Sequence, residues 1–153
     1  MKLLTKWKIL SKLPGGRWMF ARLLGFFVPY TGTIGAKVVS LRPGHAKATL
    51  QDRRAVRNHL GSVHALALGN LGEMTLGLAM TALQPKNGRF IPVRLELDYV
   101  KKARGLLTCE VNLPYVDWPD QGDWQGEALI QDESGDLVCK VIAHFKVGRK
   151  SSL

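Results

Sequence analysis

The sequence predicts an α+β domain in which a curved, largely antiparallel sheet wraps around one long apolar helix. Three observations lead there. Residues 60–83 are apolar on almost every face at helical spacing, four runs of alternating apolar and polar residues follow, and two shorter alternating runs precede them around Arg42-Pro43-Gly44. A helix that is apolar all round has to be buried, and strands with one apolar face can cover it. The chain has 153 residues, 46% of them hydrophobic, which suits one substantial core and not two.

Leu3, Leu4, Trp7, Leu10 and Leu13 fall at helical spacing with Lys2, Lys6, Lys8 and Lys12 beside or opposite them, so residues 1–13 read as a short basic amphipathic helix. Pro14, Gly15 and Gly16 interrupt it. Residues 17–28 read as a second helix ending before Pro29. With Arg22 inside, it is too short for a bilayer, which needs roughly 20 apolar residues. These helices make a helical extension over 1–30, and residues 31–150 form the sheet-and-helix domain. Ile34, Ala36 and Val38, then Ala46, Ala48 and Leu50, alternate as a hairpin. The long helix is expected from a Ser62 cap to Leu83, about 33 Å. After it, Ile91, Val93, Leu95, Leu97 and Tyr99 are expected on one strand face, with further strands near 106–113, 124–131 and 137–147 and an acidic, aromatic connection over 114–124. Cys109 and Cys139 sit on the apolar parity of two of these strands. They read as buried thiols, with neither metal-ligand spacing nor a disulfide framework.

The net charge is +10 and the isoelectric point about 10.0. Residues 1–30 hold six basic and no acidic side chains, whereas residues 105–153 hold four basic and eight acidic ones. Such a distribution implies an anionic partner. No zinc-finger, helix-turn-helix or RRM-type pattern points to nucleic acid. No signal peptide is evident, so a cytoplasmic setting is expected, with residues 1–28 suited to peripheral contact with an anionic membrane.

Between Asn58 and Pro85 the only charge is Glu73. A carboxylate on an apolar helix is costly to bury without a partner or a raised pKa. Asn58, His59 and His64 cluster at the start of the same helix, where free backbone N–H groups favour developing negative charge. From His64 to Glu73 is nine residues, about 13.5 Å of rise and about 900° of rotation, so the two side chains face opposite ways. If both serve one site, the carboxylate comes from a second copy of the helix, in a two-fold dimer.

The stretch Asn58-His59-Leu60-Gly61-Ser62-Val63-His64-Ala65, with Glu73 eight residues after Ala65, resembles the active-site segment of hotdog-fold acyl-CoA thioesterases of the phenylacetyl-CoA type. The likeness spans about 32–147: LELDYVKKARGLL (95–107) is similar to that family's strand, basic turn and glycine, and SGDLVCKVIAHFKV (134–147) to its closing hairpin and last strand. The two N-terminal helices mark a separate branch. The resemblance implies a hotdog fold, hydrolysis of an acyl-CoA thioester to free acid and CoA with neither cofactor nor metal, and a homodimer or dimer of dimers. Glu73 would be general base or nucleophile, the Ala65 N–H at the His64-Ala65 pair would polarise the carbonyl, and Asn58 would orient water or substrate. Gly61 and the basic turn Lys101, Lys102 and Arg104 would bind substrate, the cations at the phosphates of coenzyme A. The chain departs from the pattern at Ala65, where the family has Gly, and at Ile91, near which some relatives carry a hydroxyl. Two other readings use the same segment. One is a non-catalytic acyl-thioester or lipid binder. The other is a hydroxyacyl-thioester dehydratase or hydratase built on His59 and Glu73, although His59 is followed by Leu60-Gly61 and not by the Phe-Pro-Gly of those enzymes.

Overall fold

A computed structural model describes residues 3–114 and 118–149; Met1, Lys2 and the middle of the 114–124 connection lie outside the described residues, as does the last residue of the 31–150 range. Helices α1 (Leu3–Leu10), α2 (Gly16–Phe27) and the single turn α3 (Pro29–Gly32) lead into strands β1 (Lys37–Arg42) and β2 (His45–Gln51). The long helix α4 (Ala65–Leu83) follows, then β3 (Gly88–Tyr99), β4 (Leu106–Asn112), β5 (Gln121–Gln131) and β6 (Leu137–Arg149). The six strands form one sheet in the order β1-β2-β4-β5-β6-β3, with every neighbouring pair antiparallel.

Helix α4 is long and apolar enough to cross a membrane by composition, yet twelve of its nineteen residues are buried within the fold. Two of its glycines differ in a way that sequence does not show. A Cβ on Gly72 would stand 2.5 Å from Val141 Cγ2, so the helix touches β6 there, whereas a Cβ on Gly77 would meet nothing within 4 Å. Gly72→Ala is therefore expected to cost about 1–3 kcal/mol through overpacking. Gly77→Ala should stabilise by about 0.5–1 kcal/mol through reduced backbone entropy. Urea unfolding of both variants checks the opposite signs.

The extension shares the core. Trp7 and Phe20 are buried in the same apolar cluster as α4 and the sheet, with their rings edge to face at 5.1 Å. The turn between α1 and α2 is so tight that a Cβ on Gly16 would stand 1.7 Å from the Leu10 carbonyl oxygen. Cys109 and Cys139 are free and buried, and burial pushes the Cys109 thiol up to about 12.

Two expectations need correction. Ser62 does not cap α4: the helix starts at Ala65, and the Leu66 N–H donates to His64 Nδ1 at 3.1 Å. Ser62 is turned inward instead, its hydroxyl donating to Asn58 Oδ1 at 3.2 Å. Nor does one parity of β3 face the helix throughout. Phe90 and Pro92 pair with the buried Val147 and Phe145, a register shift follows between Pro92 and Arg94, and only then do Leu95, Leu97 and Tyr99 take the helix side. This bulge leaves Ile91 on the outer face opposite Lys146.

Candidate active site

The loop before α4 is built around Asn58. Its Oδ1 accepts from the Leu60 N–H at 2.9 Å, the Ser62 N–H at 3.2 Å and the Ser62 hydroxyl, and its Nδ2 amide has no acceptor among the described residues. Gly61 closes this loop at φ 69°, a left-handed conformation that a side chain rarely adopts. His64 then caps the helix through Nδ1, which places its ring proton on Nε2. The Leu66 N–H is thus taken by His64 Nδ1, and the Ala67 and Leu68 N–H groups by the His64 carbonyl at 2.9 and 3.2 Å. Among the described residues the Ala65 N–H has no acceptor, so one donor at the positive end of α4 is free for an incoming oxygen.

The basic turn after β3 lies against this loop. The Val63 N–H donates to the Ala103 carbonyl at 2.9 Å, and the Tyr99 hydroxyl donates to the Ala65 carbonyl at 3.3 Å. Lys102 and Arg104 are exposed there. Lys101 is not free: it pairs with Asp132 at 2.6 Å and Asp136 at 2.7 Å, which raises its pKa. Asp52, absent from the sequence-based set, holds both segments. Its side chain is nearly buried, accepting from Arg57 Nε at 2.7 Å and from the Gly105 N–H at 3.2 Å, and the Arg57 bond foremost keeps its carboxyl below the usual range. The one signal for it was that Asp52 is the sole acid between residues 31 and 60. His59 is exposed in the loop, outside the helix.

Glu73 stands apart from these groups, half-buried, on the wall of a cavity of about 410 Å³ between α4 and the N-terminal helices. Its carboxyl makes no hydrogen bond or ion pair among the described residues, and burial raises its pKa. Leu3, Phe20, Leu24, Met74, Leu78 and Phe90 supply apolar walls, and Trp118 and Phe145 pack edge to face behind Phe90. One subunit thus brings together Asn58, Gly61, His64, Ala65, Lys102 and Arg104 and leaves Glu73 on another face. Among the described residues no cluster of three or more His, Cys, Asp or Glu side chains is placed to hold a metal.

The fold is the hotdog fold. A structural-genomics protein, APC5556, is 28% identical, with a TM-score of 0.86 over 97% of this chain and 99% of its own. PA5026 of Pseudomonas aeruginosa, described as of unknown function and a "Probable Thioesterase", is 20% identical at TM-score 0.77, covering 90% and 97% of the two chains. The thioesterase HI1161 of Haemophilus influenzae is 12% identical at TM-score 0.68, covering 80% and 85%. No curated protein matches the sequence. The chain belongs to the family described as "Domain of unknown function (DUF4442)", whose model matches residues 16–147 and so takes in α2 as well as the sheet.

Proposed function

We propose that this protein hydrolyses acyl-CoA thioesters to free acid and CoA at two equivalent sites in a two-fold dimer. The observation that carries the reading is Glu73: a carboxyl of raised pKa, without a partner among the described residues, on an apolar cavity about 12 Å along α4 from a helix start whose Ala65 N–H has no acceptor among them. Perturbed acids in clefts are candidates for acid–base work. The Ala65 N–H holds the thioester carbonyl oxygen and Glu73 of a second copy removes a proton from water as it adds to the carbonyl carbon. Collapse of the tetrahedral adduct breaks the C–S bond and releases CoA, with the proton returning to the thiolate. Asn58 Nδ2 is available to hold the water or the substrate, and Lys102 and Arg104 the CoA phosphates.

The dimer reading rests on β3, which among the described residues pairs with β6 alone and leaves its other edge open over twelve residues. Ile91, Val93, Leu95, Tyr99 and Val100 are exposed along it. A long apolar edge of this kind is a template for pairing with another chain. Thiol release from a panel of acyl-CoAs is the test; no release above background from any of them would overturn the reading.

We also propose that the extension touches the anionic, cytoplasmic face of a membrane. Trp18, Phe26 and Tyr30 are 59%, 79% and 70% exposed on an extension that also exposes Lys8, Lys12, Arg17 and Arg22, with Arg22 5.0 Å over the Trp18 ring. Aromatic and basic side chains together suit the headgroup layer, each cation adding about 1 kcal/mol near anionic lipid. Pelleting with anionic vesicles should exceed pelleting with neutral ones by about tenfold or more, and equal pelleting would remove the membrane from the account.

A further inference from the structure

The cavity beside Glu73 has a property that packing within the chain does not explain. Gly77, in the middle of α4, lines it, and a Cβ there would meet no atom within 4 Å. A glycine inside a helix destabilises it, and at Gly72 close contact with β6 offsets that cost, but at Gly77 no described atom beyond the helix's own neighbouring backbone comes within 4 Å of a Cβ position. Six of the fourteen lining residues come from α1 and α2, Leu3, Phe20, Leu24 and Phe27 among them, so sheet and central helix alone do not enclose the space. Its polar lining groups include the Glu73 carboxyl and Lys6, whose ammonium sits 4.7 Å over the Phe27 ring. Phe27 and Val28 line the cavity while remaining 64% and 45% exposed, which puts its mouth between them on the basic, aromatic face of the extension.

We infer that this cavity takes the linear aliphatic chain of a fatty acyl group, entering past Phe27 and Val28, and that Gly77 sets the length of chain that fits. The N-terminal helices are then part of the substrate site. At about 410 Å³ the space falls within the range of small-molecule pockets, and its walls offer an alkyl chain apolar contact with few polar groups to desolvate. The inference deepens the thioesterase reading and rests on it for the reacting end of the ligand, the carbonyl that Glu73 would meet.

The test uses S-alkyl-CoA thioethers, which bind without being hydrolysed, titrated calorimetrically into the native chain and into Gly77→Leu. Native protein should bind hexyl-, octyl-, decyl- and dodecyl-CoA progressively tighter, about fourfold per methylene, until the cavity is full. Gly77→Leu should bind the short thioethers as before and lose about tenfold or more on the longest. Leu24→Trp, which narrows the cavity from the α2 side, should do the same if Gly77→Leu does not fold. The same chain-length profile in native and variant proteins would overturn the inference. So would variants that convert dimers to monomers on size exclusion, because a second copy would then be the occupant. Length-dependent binding without turnover of any acyl-CoA would overturn the thioesterase reading alone; turnover with no dependence on length would overturn this inference alone.

Discussion

Glu73→Gln is expected to lower kcat/KM for acyl-CoA hydrolysis by about 10²–10⁴-fold, the usual contribution of a positioned general base. Gln keeps the shape of the side chain and removes the charge, so the cavity and α4 should be undisturbed. Burial raises the pKa of Glu73 above its ordinary value of 4.5, so the acid limb of the native pH–rate profile should lie above that value and vanish in the variant. Stability should respond with the opposite sign. Between the ordinary and the raised pKa the folded chain holds a proton that the unfolded chain has released, so native stability falls as pH rises through that window. Glu73→Gln should therefore melt higher than the native protein at neutral pH, and the gap should close below about pH 4.5. Thiol release that is unchanged in the variant would take the carboxyl out of the mechanism.

Ala65→Pro is expected to cost about 10²–10³-fold in kcat, the loss associated with one oxyanion donor. The substitution is unusually clean. Ala65 is the first helical residue, where proline is favoured, its N–H has no partner among the described residues, and His64 at φ −65°, ψ 140° already has the extended conformation required before proline. Co-expression of Glu73→Gln chains with Ala65→Pro chains then reports on the site's construction. If each site joins the helix start of one subunit to Glu73 of the other, a mixed dimer regains one intact site, and random assembly restores about a quarter of native activity. A site contained in one subunit regains nothing.

Periodicity carried most of the architecture. The 60–83 stretch is apolar on all faces because it is enclosed, and the later runs alternate because each strand shows one face to that helix. The β3 bulge was illegible because Phe90 and Ile91 are both apolar, so either parity fits the sequence and only the register with β6 decides between them. The start of α4 was displaced by a local competition, Asn58 engaging Ser62 and leaving the cap to His64. At the site, the residue types could be read directly, but the rotation counted from His64 to Glu73 assumed a helix through His64, which is instead the extended cap of a helix that begins at Ala65. The engagement of Lys101 could not be read, because its partners Asp132 and Asp136 lie some thirty residues away across another hairpin. The cavity was equally hidden: helical spacing marked the apolar faces of α1 and α2, but not the surface of α4 that they stop short of filling.

The strand order bears on how the chain reaches its fold. Among the described residues β6 is the last strand in chain order yet lies inside the sheet, between β5 and β3, and β3 has no other neighbour. While the chain is being synthesised, β3 leaves the ribosome fifty residues before its only pairing strand is complete, and α4 stays partly uncovered until β6 closes over it. Pairing of β3 therefore waits for β6, and exposed strand edges of this kind are prone to aggregate during such an interval. Loss of β6 would remove the seam joining two parts of the sheet, and any truncation reaching into Leu137–Arg149 should yield insoluble protein in place of a smaller domain.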